Sequence, residues 1–323
     1  MSVMVVGGAG YIGAHVVRML RADGHEVVVV DDLSNSTADR VAGVHLLQLD
    51  ISAARATDQL AAAITSNGVD AVIHFAARKQ VGESVERPMY YYRQNVGGLT
   101  NLLEAMAATS TSKIIFSSSA AVYGAPDDPV VTEDSPTNPV NPYGRTKLIG
   151  EWMLADAQRA WGLNWMALRY FNVAGAAWPE LGDPVVMNLV PMVLDRLARG
   201  QAPRIFGADY DTPDGTCIRD YVHVGDLARA HIVALQGLDT EPPHRVYNVG
   251  TGTGTSVRQI IEAVGRACGM DATPVIEPRR PGDPPKLIAS ADRISTDLGF
   301  TATAGVDQIV ESAWAAWQAR AAY

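Results

Sequence analysis

The chain has 323 residues, 47% of them hydrophobic and 19% charged, with a formal charge of −9. This length and apolar content suit about two domains that bury a core without disulfides or metals, and do not suit a disordered chain. The acidic balance, with no dense Lys/Arg block, argues against nucleic acid and acidic membranes as partners.

No apolar run approaches the roughly 18 residues of a membrane helix. Residues 1–6 carry no basic segment and run straight into glycines, so they read as a buried strand and not as a signal peptide. Two cysteines, Cys217 and Cys268, are too few for a disulfide framework. A reducing cytoplasm is the expected compartment, with a single bridge between them left open.

In chain order, residues 3–6, 26–30, 46–49, 71–75, 113–116 and 165–169 read as strands. They are short and apolar throughout, as a parallel sheet covered on both faces requires. Residues 13–23, 53–65, 89–109 and 143–161 read as the helices between them. The alternation predicts βαβ units: an α/β fold with a doubly wound parallel sheet over residues 1–172. After Gly175, prolines loosen the pattern; a helix is expected over 224–235, a strand over 245–249, and helices over 257–268 and 306–320. Residues 173–323 read as a smaller α+β lobe.

Gly7-Gly8-Ala9-Gly10-Tyr11-Ile12-Gly13 follows the first strand and opens the first helix. Gly7 permits a tight turn, Gly10 lets backbone approach a pyrophosphate, and Gly13 lets helix pack on sheet; the helix N-terminus favours the anion. The alternative is a plain tight turn. Asp31, ending the second strand about 20 residues on, suits a ribose diol and repels a 2′-phosphate, which favours NAD over NADP. Asp50 and Ile51, after the third strand, are candidates for adenine.

Ser117, Ser118 and Ser119 end a strand, where doubly wound sheets place their sites. Tyr143 and Lys147, four apart at the start of a helix, share one face. A nearby ammonium lowers a phenol's pKa, as would a positive nicotinamide ring, giving a base able to take a hydroxyl proton, and Ser119 can hydrogen-bond the same hydroxyl. On its own a Tyr-x-x-x-Lys spacing is commonly a helix-surface pair. The histidines and cysteines show no metal-ligand spacing, so no metal is expected.

Beyond residues 7–13, further motifs are distinctive: Asp31-Asp32-Leu33-Ser34-Asn35, His74-Phe75-Ala76-Ala77-Arg78-Lys79-Gln80-Val81-Gly82-Glu83-Ser84, and the stretches 116–124 and 141–147. They continue with Arg169-Tyr170-Phe171-Asn172, Arg219-Asp220-Tyr221-Val222-His223-Val224 and Pro278-Arg279-Arg280-Pro281-Gly282-Asp283. On these motifs the chain resembles, from end to end, the extended short-chain dehydrogenase/reductases, and within them the UDP-galactose/UDP-glucose 4-epimerases.

The resemblance implies a Rossmann domain that binds NAD, a lobe that binds a UDP-hexose, and segments recrossing between them. It assigns Tyr11, Ile12, Asn35, Phe75, Ala76, Ala77, Lys79, Asn95, Ser117, Lys147 and Tyr170 to the cofactor. It assigns Phe171, Asn172, Asn188, Leu189, Phe206, Arg219, Tyr221, Arg280, Asp283 and Leu287 to the substrate, beside Lys79, Ser119 and Tyr143. Arg219 and Arg280 can grip a pyrophosphate with forked donors; the alternatives are surface salt bridges and, for Asn188, a helix cap. Tyr143 would take the 4-hydroxyl proton while C4 gives hydride to NAD⁺; the 4-keto sugar turns over and hydride returns to the opposite face.

The sequence departs from the family's pattern at Val6, Ala121, Val173 and Leu287, the last giving a different sugar pocket. Ala120 and Ala121 stand where 4,6-dehydratase relatives carry the acid and base of elimination, which disfavours that reaction. A 4-epimerase of another nucleotide sugar (a UDP-N-acetylhexosamine or UDP-uronate) and a non-catalytic NAD-binding redox sensor remain as rivals. The long helices 89–109 and 143–161 are those that relatives use to form a homodimer.

Overall fold

The computed structural model of the protein describes residues 1–240, 242–280 and 282–321; Pro281, in one of the distinctive motifs, lies outside them. The chain opens with β1 (Ser2–Val6), α1 (Tyr11–Ala22), β2 (Glu26–Asp31), β3 (His45–Gln48), α2 (Ala56–Ser66) and β4 (Ala71–His74). Next come α3 (Val81–Glu86), α4 (Pro88–Tyr91), α5 (Gly98–Ala108), β5 (Lys113–Ser117), β6 (Val130–Val131), α6 (Pro142–Trp161) and β7 (Asn164–Tyr170). Then follow β8 (Asn172–Ala174), α7 (Leu189–Ala198), β9 (Arg204–Phe206), β10 (Ile218–His223), α8 (Val224–Gly237) and β11 (Val246–Val249). The last are β12 (Gly254–Ser256), α9 (Val257–Cys268), β13 (Val275–Glu277), β14 (Lys286–Ala289), α10 (Asp292–Leu298) and α11 (Val306–Ala321).

The chain forms two compact units. The first gathers Met1–Gly124, Thr137–Arg169 and Ala228–Tyr247; the second gathers Ala125–Pro136, Tyr170–Leu227 and the chain from Asn248 onward.

In the first unit a seven-stranded sheet runs in the order β11-β7-β5-β4-β1-β2-β3, with β3 through β7 pairing in parallel. Val3, Val5, Val6, Val29 and Val30 are fully buried, which is why these strands read as unbroken apolar runs. Strand order reverses between β1 and β4, so the carboxyl ends of these strands flank the crevice where such sheets bind ligands. The expected strands and three of the expected helices form here, with ends moved by one to three residues.

The expected helix 89–109 forms as one unbroken run from α4 through α5. Pro88 starts α4, and Arg87 before it leaves the helical region (φ −131°, ψ 56°), separating the unanticipated α3, because a residue before proline avoids that region. Residues Tyr92–Gly97 then widen into a π-helical turn. Within that turn buried Asn95 accepts from Arg78 N at 2.8 Å and donates to Arg78 O and Thr146 Oγ1, each at 3.0 Å.

Helix α6 is bounded by clear signals. Asn141 caps it, accepting from Gly144 N at 2.9 Å, with Pro142 in the first turn and Gly162 in the left-handed conformation at the end.

In the second unit β10 pairs with β12 antiparallel and with β14 and β8 in parallel. Strands β9 and β13 form a separate parallel ribbon. Its core joins α7, α9 and α11 around residues such as Val193, Ile260, Val264 and Ile309. Both cysteines are free and Cys217 is buried, so no bridge joins them.

Asn141→Ala removes the α6 cap and is expected to cost about 1 kcal/mol, read as a lower denaturant midpoint with unchanged slope.

Candidate active site

The turn after β1 is built without side chains. Gly7 sits at φ +80°, and a Cβ there would lie 2.6 Å from Ala76 N. A Cβ on Gly13 would lie 2.3 Å from Gly7 O, so α1 seats directly on the turn. Gly10 caps α1 with no side-chain bond, and the first turn holds no acid. The N–H groups of Tyr11, Ile12 and Gly13 thus begin a helix whose positive end has no side-chain cap from Gly10 and no acid in its first turn, which suits a phosphate anion.

At the end of β2, buried Asp31 accepts from Ala9 N at 3.0 Å, Leu33 N at 2.8 Å and Ser36 Oγ at 3.2 Å. The carboxylate is fixed against the glycine turn, as hydrogen bonding to a ribose diol requires. Asn35 is exposed on the same loop. After β3, Asp50 accepts from Ser52 N and Oγ, both at 2.8 Å. Burial pushes its pKa up, but these bonds, Gln94 and the Arg78 charge bring it below the usual carboxylate value. The Ile51 side chain turns into the core against Gly98, so Ile51 offers a ligand its backbone.

Phe75, Ala76 and Ala77 follow β4, with the Phe75 ring 4.6 Å from that of His231. Lys79 is exposed. His74, at the strand end, is fully buried, stacks on Phe116 at 5.8 Å and leaves Nδ1 without a partner. Burial, helped by the Lys147 charge, pushes its pKa down to about 3.

Three residues on one face of α6 meet three consecutive serines at the end of β5. The Tyr143 phenol hydrogen-bonds Ser119. Lys147 Nζ donates to Ser117 O at 2.7 Å and lies 5.0 Å from the Phe116 ring centroid. Ser118 Oγ donates to Glu151 Oε1 at 2.5 Å. Ser117 Oγ lies 2.7 Å from His231 Nε2. Burial raises the Tyr143 pKa and the Ser119 bond lowers it, with a net rise. This corrects the expectation of a phenol lowered by Lys147: the lysine is engaged at the Ser117 carbonyl. Its own pKa falls to about 7 because burial outweighs the Glu151 charge. Ala120 and Ala121 occupy the short turn that follows, where Ala121 N donates to Ser119 Oγ at 3.2 Å.

In the second unit, Arg219 Nη2 lies 3.4 Å from Asp283 Oδ1, and Nη1 donates to Ile218 O at 2.8 Å. The Arg280 guanidinium stacks 3.8 Å from the Phe206 ring centroid. Leu287 on β14 is in register with Arg219 on β10, and Asn172 on β8 with Tyr221. Asn172 also hydrogen-bonds the buried Tyr221 hydroxyl. Asn188 stands at the N-cap of α7, which Leu189 opens; its side chain donates to Asp183 at 2.7 Å and makes no cap bond to the helix. Phe171 is buried, and Tyr170 half-buried at the end of β7. Two guanidiniums, a carboxylate and an aromatic face form a set able to hold a nucleoside diphosphate.

Sequence reasoning missed Arg78, His231 and the Glu151–Arg169 pair. Arg78 Nη2 meets Asp32 at 2.7 Å and Nη1 meets Ser34 at 2.6 Å, joining the loops after β4 and β2. Glu151 had a signal: it lies four residues beyond Lys147 and so on the same helix face.

The profile of the NAD dependent epimerase/dehydratase family matches residues 3–250. A UDP-glucose 4-epimerase of Azospirillum brasilense is 45% identical over 317 residues, 96% of this chain and 90% of that one. The structure of a UDP-glucose 4-epimerase from Brucella ovis in complex with NAD superposes with a TM-score of 0.91 at 44% identity, covering 97% of each chain. One from Bifidobacterium longum, in complex with NAD⁺ and UDP, gives 0.89 at 37% identity over 99% of this chain and 98% of that one.

His74 generates a pH prediction. The folded protein keeps it neutral down to about 3, whereas the unfolded chain protonates it from 6.5. Its contribution to stability is therefore complete above pH 6.5 and is lost as pH falls toward 3, by up to about 1.4 kcal/mol per unit. Acid unfolding of the wild type and of His74→Leu should show the variant losing less stability across that window.

Proposed function

Because the chain belongs to the NAD dependent epimerase/dehydratase family, we propose that it interconverts UDP-galactose and UDP-glucose, inverting C4 through a 4-keto sugar. The observation that carries this reading is the α6 row: buried Tyr143 bonded to Ser119, with Lys147 one turn on. The neighbouring Ala120 and Ala121 can move no proton, so the row supports oxidation and reduction at C4 and not elimination.

On this reading the glycine turn, with Gly7, Gly10, Tyr11, Ile12 and Gly13, holds the pyrophosphate of NAD. Asp31 and Asn35 hold the adenosine ribose, and Asp50 with the Ile51 backbone takes the adenine. Phe75, Ala76, Ala77, Lys79, Asn95 and Ser117 line the nicotinamide half, with Lys147 on its ribose and Tyr170 beside the ring. When bound, NAD⁺ supplies the hydride acceptor and donor for C4.

Tyr143 accepts the 4-hydroxyl proton and returns it, while Ser119 orients that hydroxyl. Burial opposes the phenolate, so the reaction draws on the Ser119 bond, which favours it. Arg219 and Arg280 hold the diphosphate, Phe206 the base and Asp283 the ribose, with Asn172, Asn188, Leu189 and Tyr221 supporting them. A firm grip on UDP with apolar walls at Phe171 and Leu287 leaves the keto sugar able to present either face. Tight contacts to one sugar orientation would stabilise a ground state and slow the reaction.

We further place the enzyme in the cytoplasm, on its two free cysteines, as a homodimer through α3, α4 and α6. Val85, Met89 and Trp152 are 62%, 66% and 58% exposed there, and α3 and α4 pack beside α6. A second copy would cover this apolar face.

Chromatography of nucleotide sugars after incubation with UDP-galactose should show UDP-glucose and no net NADH. Tyr143→Phe should lower kcat at least about 100-fold. An inert wild type would sink the reading, as would an unimpaired variant. Trp152→Glu should shift the protein from dimer to monomer in sedimentation velocity, with its circular dichroism unchanged; a variant that stays dimeric would remove α6 from the interface.

A further inference from the structure

Behind the α6 row lies a buried charge pair that packing alone does not require. Glu151 and Arg169 side chains are 5% and 6% exposed. Arg169 Nε donates to Glu151 Oε1 at 2.9 Å and Nη2 to Oε2 at 2.6 Å, a two-pronged contact. Arg169 Nη1 also donates to the Tyr123 hydroxyl at 3.0 Å, and the guanidinium lies 5.0 Å from that ring's centroid. Desolvating such a pair offsets most of its attraction, and apolar side chains of similar volume commonly serve stability as well or better. The placement of the carboxylate points to another use.

Glu151 grips Ser118 at 2.5 Å, and Ser118 has no exposed surface. Ser118 is the middle residue of a tripeptide. Its predecessor accepts from Lys147 through the carbonyl, and its successor bonds the Tyr143 phenol. Hydrogen bonds to an ionised acceptor are short and stronger than neutral ones. A carboxylate held by two guanidinium prongs cannot rotate away, so Ser118 has one seat and both neighbours are set by it.

We propose that Glu151, locked by Arg169, is a positioning residue: by holding Ser118 it sets the Ser119–Tyr143 and Ser117–Lys147 hydrogen bonds together, and with them the base that works at C4. The proposal rests on the reading of Tyr143 as that base. Glu151 also acts through charge, because its carboxylate favours the protonated form of Lys147. The titratable and charged groups around Tyr143 and Lys147 are Glu151 on α6, His74 on β4 and His231 against Ser117 Oγ, with Arg169 on β7 bound to Glu151 and to Tyr123.

The test compares Glu151→Gln and Ser118→Ala with the wild type, NAD added throughout. Ser118→Ala leaves the ion pair intact, so it reports even if Glu151→Gln fails to fold. The Tyr143 titration is read as the ultraviolet difference between each protein and its counterpart carrying Tyr143→Phe. Both variants are expected to raise the Tyr143 midpoint and to move the rising limb of the kcat–pH profile upward by about one unit. At neutral pH kcat should fall about tenfold, one unit of pKa being a tenfold change, with KM for UDP-galactose within about twofold. A folded Ser118→Ala variant with wild-type kcat and Tyr143 midpoint overturns the proposal, and leaves Glu151 as a stabilising contact. If the wild type does not convert UDP-galactose, the proposed function fails while the Tyr143 titration still decides the role of Glu151.

Discussion

The steric constraint on which the first unit turns is the close seating of α6 against β5 and the loop that follows. A Cβ on Gly144 would stand 2.5 Å from Ala121 O, and one on Gly150 would stand 2.5 Å from the Phe116 ring. Two glycines on this helix let its axis approach the sheet more closely than any side chain would permit. At that distance Tyr143, Lys147 and Glu151, each one turn beyond the last, reach Ser119, Ser117 and Ser118 in turn. The cap at Asn141 fixes where the row begins, and the Arg169 bond fixes where it ends.

Electrostatics then decides what the row can do. Burial raises Tyr143 and lowers Lys147 to about 7, so each is pushed toward its neutral form. Ser119 works against this at the phenol and Glu151 at the ammonium. Lys147, brought near neutrality, is the member whose protonation state modest local charge can change. The sheet supports it: the β1–β4 reversal brings the glycine turn, Asp31 and the ends of β4 and β5 to one edge. Side chains are excluded at Gly7 and Gly13 by contacts of 2.6 Å and 2.3 Å, leaving backbone N–H groups to meet a phosphate.

The first half of the fold was legible because parallel strands buried on both faces read as plain apolar runs. Tyr143, Lys147 and Ser119 were legible because helix periodicity and strand ends place them without knowledge of tertiary partners. What escaped depends on such partners. Strand β10 reads Ile-Arg-Asp-Tyr-Val-His, and its buried Asp220 is tolerable only because Thr251 N, Thr251 Oγ1 and Gly252 N donate to it at 2.8, 2.8 and 2.9 Å. The π-helical turn around Asn95 answers to Arg78 and Thr146, distant in sequence. Glu151 and Arg169, 18 residues apart, carry no mark of pairing in the sequence and become a buried pair only when β7 lies beside β5. The direction of the Tyr143 shift was misjudged because spacing reveals a neighbour but not burial, and burial is the larger influence.

The central claim is that hydrogen leaves C4 and returns to the same carbon within one site. It is tested most directly with UDP-galactose deuterated at C4, incubated in ordinary water and analysed as UDP-glucose by mass spectrometry. The account predicts full retention of deuterium at C4. Exchange of the label with solvent would mean that C4 hydrogen leaves as a proton, and would contradict it.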